Sequence, residues 1–142
     1  MDYSLLIGQI NLGFQIAILL VLLAGFAFKR KMRFFQHGTA MFVAVLLNAI
    51  SFSLVMGPSL AARIQVVEAN PLGKFSLAVL GHAIIGGLAE ILGIWLVASW
   101  HFQSSTKKCS TRKKIMLLTL VLWLVAILLG FVLFGYIANL IE

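Results

Sequence analysis

Three histidines and one carboxylic acid lie inside or beside long apolar runs of this sequence, where ionisable side chains are rare. The central segment, residues 81–95 (GHAIIGGLAEILGIW), carries both His82 and Glu90. Histidine ligates metals and carries protons near neutral pH. A charged residue in the centre of a membrane-spanning helix costs roughly 3 kcal/mol on insertion scales. These residue types therefore indicate cofactor binding or proton transfer, with helix-to-helix hydrogen bonding as the alternative.

Composition indicates the elements that must position these residues. The chain has 142 residues, of which 62% are hydrophobic and only 11% charged, whereas roughly a quarter is usual in soluble domains. Runs of about 20 apolar residues are typical of membrane-spanning helices. We predict an all-α, integral membrane four-helix bundle formed by one domain, 1–142, with helices at about 5–28, 34–56, 75–100 and 115–141.

The longest connection on the predicted outer side contains two further signals. Gly57-Pro58 predicts the end of the second helix, since proline cannot donate the next hydrogen bond. Apolar residues at helical spacing then predict a short interfacial helix at about 60–69.

The distribution of charge predicts the orientation. Four lysines or arginines lie in 29–33 and five in 107–114, and neither segment contains an acid. This asymmetry places both segments in the cytoplasm. We therefore expect a multi-pass protein of the cytoplasmic membrane, with both termini outside and sequential helices antiparallel. The positive charge is explained by topology and by contact with anionic lipid, so nucleic acid is not expected as a partner.

Depth along the helices groups the polar residues. At 1.5 Å per residue, Gln15 and Asn48 lie about 20 Å from the cytoplasmic ends of their helices, and Glu90 about 16 Å. All three side chains are therefore expected near the bilayer midplane, where polar groups need partners. Two interpretations remain open: a hydrogen-bonded lock between helices, and a proton or cation site.

The three histidines lie at different depths. His82 is expected near the outer boundary, about 12 Å from Glu90 along the helix axis, and His37 and His101 near the inner one. His37 and His82 are therefore not expected to bind the same iron atom. An inner haem b held by His37 and His101 is one alternative, and a separate outer haem or quinone site at His82 is another.

Several short motifs, in order along the chain, resemble a family of small four-helix membrane proteins of unassigned function. These are His37-x-x-x-Met41, Gly81-His82, Cys109 before Arg112-Lys113-Lys114, Leu122-Trp123-Leu124 and Leu128-Leu129-Gly130. Some members resemble reduced b561-type membrane cytochromes or accessory proteins of respiratory oxidases. The resemblance covers roughly residues 29–137 and implies a haem- or quinone-related role for His37 and His82. Lys113 and Lys114 stand where haem-binding relatives are expected to carry histidine.

Three functional hypotheses follow. The first is a redox-associated protein that binds haem b or a quinone through His82, His37 or His101. The second is a non-catalytic accessory subunit of a larger membrane complex, or a homo-oligomer, packed through the apolar fourth helix. The third is a proton or cation pathway through Glu90, Asn48 and Gln15. No nucleotide-binding, zinc-binding or nucleophilic motif is evident, which favours a role other than catalysis.

Overall fold

A computed structural model describes residues 3–100 and 112–138, and every regular element in this part of the chain is helical. The elements are α1 (Tyr3–Arg30), α2 (Phe34–Ser51), a π-helical turn (Phe52–Met56), α3 (Gly57–Ala69), α4 (Lys74–Trp100) and α5 (Lys113–Ile137). Four helical stretches are long and apolar enough to cross a membrane. The prediction of an all-α, multi-pass membrane protein is therefore confirmed.

The second membrane-spanning stretch does not end at Gly57-Pro58, so that prediction was wrong. It continues from α2 through the π-helical turn into α3 and covers 36 residues, Phe34–Ala69. The Gly57 amide donates to the Phe52 carbonyl, which widens the turn just before the proline. A wider turn accommodates a residue that lacks an amide proton and whose ring crowds the preceding turn. The residues predicted as a separate interfacial helix thus continue this stretch as α3.

A tight turn joins α1 to α2. The Arg33 amide donates to the Phe28 carbonyl at 2.9 Å, and the Met32 amide donates to the Lys29 carbonyl at 3.0 Å. This is the Schellman pattern that ends many helices. Met32 occupies its left-handed position, with φ of 59°, where glycine is usual. The short turn leaves α1 and α2 packed on each other along their length.

The core lies where the α1–α2 pair meets the α4–α5 pair. Ile18 and Ala44 are fully buried, and Trp123 is 4% exposed. Helices associate in lipid through close packing of small residues, and Gly93 meets this requirement. A Cβ at Gly93 would lie 3.1 Å from Val45 Cγ2 and 3.4 Å from Trp123 Cζ3. Many large apolar side chains, by contrast, face outwards, as expected for a surface covered by lipid tails.

Candidate functional site

An open cavity of about 180 Å³ lies among the helices and contains most of the polar residues singled out in the sequence. We call it the Glu90 cavity. Its lining is largely apolar, and its polar members are Asn11, Gln15, Asn48, Ser59, Arg63, His82 and Glu90. An apolar cavity with a few convergent polar groups is the usual form of a small-molecule site.

A continuous chain of hydrogen bonds joins α1, α2 and α4 beside this cavity. Gln15 Nε2 donates to Asn48 Oδ1 and to Ser51 Oγ, both at 3.2 Å. Ser51 Oγ in turn donates to Asn11 Oδ1 at 2.7 Å. Asn48 Nδ2 donates to Glu90 Oε2 at 2.7 Å. The structure thus brings together Gln15, Asn48 and Glu90 and adds Asn11 and Ser51; we call these five residues the polar chain.

Glu90 is the last residue of the polar chain, and only one of its two carboxyl oxygens takes part in the chain. The side chain is 8% exposed, and its Oε2 accepts the bond from Asn48. Its Oε1 is buried and has no hydrogen-bond partner among the described residues. Buried polar atoms nearly always have partners, so an orphaned one asks for an explanation. Because Glu90 lines the cavity, a molecule bound there could supply the missing partner.

His82 lines the same cavity and is held from α5. Its Nδ1 lies 2.9 Å from the Ala126 carbonyl oxygen. A carbonyl only accepts, so Nδ1 carries the proton, and Nε2 of the neutral ring is left as an acceptor. The ring packs beside Gly130, where a Cβ would lie 3.4 Å from His82 Cε1. The small residues Ala126 and Gly130 therefore leave space for the His82 ring and also permit close packing of α4 against α5.

His37 lies in a different cavity. Its Nδ1 is 2.8 Å from the Gly25 carbonyl oxygen, and the residue is 7% exposed. This second open cavity measures about 300 Å³, and we call it the His37 cavity. Trp123 lines both cavities, His82 lines only the first, and His37 lines only the second.

The structure locates two of the three histidines considered as haem ligands. His37 and His82 line separate cavities. His101, the remaining candidate, lies outside the described residues. Among the described residues, each cavity is lined by one histidine, and the pairing of His37 with His101 stays a prediction.

Arg63 is a member of this site that the sequence did not indicate. It lies in the segment 60–69 predicted as a separate interfacial helix, but it lines the Glu90 cavity and donates to the Ser59 carbonyl at 3.1 Å. The π-helical turn explains the difference. Each residue turns an α-helix by about 100°, so a widened turn changes the face on which later residues lie. Pro58 was the available signal, because a helix that continues past a proline needs such an adjustment.

Comparisons with protein-family models, with curated proteins and with solved structures find no match to this chain.

Proposed function

We propose that this protein binds a neutral, ring-bearing membrane ligand of the quinone class in the Glu90 cavity. The observation that carries the proposal is the buried Glu90 Oε1, which has no partner within residues 3–100 and 112–138, on a side chain that lines an apolar cavity together with His82. A low-dielectric surrounding favours the neutral carboxyl. Since Oε2 accepts from Asn48, the proton is assigned to Oε1, which then donates to a ligand oxygen.

The two polar groups are complementary to the two redox forms of a quinone. A quinone carbonyl accepts a hydrogen bond, and Glu90 Oε1–H is the donor for it. A quinol hydroxyl donates, and His82 Nε2 is the acceptor for it, because Nδ1 is engaged with Ala126. Glu90 and His82 thus offer a donor to the oxidised form and an acceptor to the reduced form, and both side chains are neutral in these roles.

The size of the cavity favours a single ring with its tail outside. An apolar cavity of about 150 Å³ is known to hold benzene, and the Glu90 cavity measures about 180 Å³. Drug-sized ligands occupy roughly 300–1,000 Å³, so a long tail would extend through the open side into lipid. The apolar lining suits both parts of such a ligand.

The polar chain supports binding better than proton conduction. Asn11, Gln15 and Asn48 contribute amides, which neither gain nor lose protons under ordinary conditions. Intramembrane proton relays are built from acids and histidines. We therefore assign the polar chain to holding Glu90 in position.

We also infer the orientation from charge. The segments 29–33 and 107–114 would lie in the cytoplasm, with both termini outside and successive membrane-spanning stretches antiparallel. The Glu90 cavity, which contains Asn11, Arg63 and His82, would then lie in the outer half of the membrane, and the His37 cavity in the inner half.

The proposal is tested by a substitution that fills the Glu90 cavity and leaves the core of the bundle unchanged. Gly87 lines this cavity, and a Cβ there would meet nothing within 4 Å, so Gly87→Leu places a side chain in the space assigned to the ring. The control, Ile84→Phe, adds volume at a residue that is 60% exposed on the same helix. The measurements are saturable binding of a short-chain quinone to the purified protein, and chromatography of the quinone extracted with it.

We expect wild type and Ile84→Phe to retain and bind quinone, and Gly87→Leu to lose both. Equal binding by all three proteins would contradict the proposal, as would unsaturable uptake that follows the amount of detergent. Circular dichroism and gel filtration of Gly87→Leu show whether the variant is folded before its binding is interpreted.

A further inference from the structure

The His37 cavity combines an apolar interior with a positively charged margin. Its apolar lining includes Leu22, Phe26, Met41, Leu96, Val97 and Leu120. Lys29 from the end of α1 and Arg112 and Lys113 from the start of α5 also line it. No acidic residue is present among the lining residues that the structure describes. Cations from two helices therefore share one cavity without a protein counter-charge.

Arg112 is held in place at this margin. Its guanidinium carbon lies 4.9 Å above the centre of the Trp95 ring, a distance typical of a cation–π interaction. Its Nη1 also donates to Ser99 Oγ. A planar guanidinium fixed in this way is suited to bind a phosphate, because it presents several donors in a rigid fork.

We propose that the His37 cavity is a binding site for an anionic phospholipid. One acyl chain would occupy the apolar interior, and the phosphate would lie between Lys29, Arg112 and Lys113. Basic pockets between membrane-spanning helices are a recognised form of lipid-headgroup site. The volume of about 300 Å³ is at the lower end of the range for small-molecule ligands. This site is separate from the Glu90 cavity and does not depend on its function.

Trp123 allows the occupant to be detected. It lines the His37 cavity and is only 4% exposed, so the surrounding bilayer does not reach it. The protein is reconstituted into phosphatidylcholine vesicles that contain a small fraction of lipid with brominated acyl chains. The brominated lipid is phosphatidylglycerol in one series and phosphatidylcholine in the other, and quenching of tryptophan fluorescence is measured. Bromine on a chain inside the cavity quenches Trp123 and Trp100, which both line it. Trp95, which is 46% exposed, is replaced by phenylalanine in every protein compared, so that bilayer lipid does not contribute through it.

Two matched double variants distinguish lipid binding in the His37 cavity from general attraction of anionic lipid to the basic surface. Lys29→Gln combined with Lys113→Gln removes two charges that line the cavity. Lys31→Gln combined with Lys114→Gln removes two exposed charges from the adjacent positions, which do not line it. At about 1 kcal/mol for each hydrogen bond between a lysine and the phosphate, loss of the two lysines that line the cavity corresponds to about 30-fold in preference for the anionic lipid.

We expect phosphatidylglycerol to quench wild type more strongly than phosphatidylcholine. In the Lys29/Lys113 variant the preference for phosphatidylglycerol should fall about 30-fold, whereas the Lys31/Lys114 variant should keep the preference of wild type. Equal losses in both variants would overturn the proposal, because they would indicate diffuse attraction to the basic surface. Equal quenching of wild type by the two lipids would overturn it as well. A Trp123 that neither lipid quenches would indicate a protein occupant, such as the segment 101–111, and would reject the lipid.

Discussion

Asn48 Nδ2 donates to Glu90 Oε2 at 2.7 Å, and this bond joins α2 to α4 in the middle of the bundle. Both residues are at least nine-tenths buried, Glu90 lines the Glu90 cavity, and its second oxygen has no hydrogen-bond partner among the described residues. Oε2 thus completes a contact between helices, and in the proposed function Oε1 would bind the ligand.

The first prediction concerns the contribution of the Asn48–Glu90 hydrogen bond to the stability of the bundle. Glu90→Gln keeps an oxygen that can accept from Asn48, so the free energy of unfolding should change by less than about 0.5 kcal/mol. Glu90→Leu leaves Asn48 Nδ2 buried without an acceptor and should cost about 1 kcal/mol, within the range measured for interhelical hydrogen bonds in membranes. Unfolding of the purified protein in mixed micelles measures both. Equal destabilisation by the two substitutions would show that the hydrogen bond does not stabilise the bundle.

The second prediction concerns two glycines in different surroundings. A Cβ at Gly38 would collide with the ring of Trp100, and Gly38 is buried. Gly38→Ala should therefore lower the free energy of unfolding by about 1–3 kcal/mol, as overpacking commonly does. Gly87→Ala meets nothing within 4 Å and should leave stability unchanged or raise it by up to about 1 kcal/mol, because alanine favours helix. The same unfolding measurement checks both variants, and destabilisation by Gly87→Ala alone would reverse the expectation.

The overall architecture could be predicted because the lipid bilayer imposes strong constraints. Apolar length and the scarcity of charge identify the membrane-spanning stretches, and an axial rise of 1.5 Å per residue gives the depth of each polar side chain. Depth alone was sufficient to group Gln15, Asn48 and Glu90, and the structure joins these three residues by hydrogen bonds.

The cavities and the course of the chain after Met56 could not be predicted in the same way. The π-helical turn changes the helix face on which Arg63 lies. That face depends on how the backbone adapts to Pro58 and not on hydrophobic periodicity. Depth also gives no rotation about the helix axis. The sequence therefore did not show that His82 and His37 bond to the Ala126 and Gly25 carbonyls, or that Trp123 lines both cavities.

The third prediction distinguishes the two histidines. His82→Phe removes the acceptor assigned to a quinol hydroxyl and should weaken binding of a short-chain quinol about fivefold, the effect of one neutral hydrogen bond of about 1 kcal/mol. His37→Phe alters the other cavity and should leave quinol affinity unchanged. Titration of each folded variant with the quinol provides the comparison. A larger loss of affinity in His37→Phe than in His82→Phe would place the quinol in the His37 cavity and would refute its assignment to the Glu90 cavity.

The fourth prediction tests the orientation with the chain's single cysteine. If the segment 107–114 is cytoplasmic, a membrane-impermeant maleimide should label Cys109 only after intact cells are permeabilised. Leu72 is 82% exposed after the end of α3, on the side assigned to the exterior. Leu72→Cys combined with Cys109→Ser should therefore be labelled in intact cells. The reverse labelling pattern would invert the topology and would place the His37 cavity, with its three cations, in the outer half of the membrane.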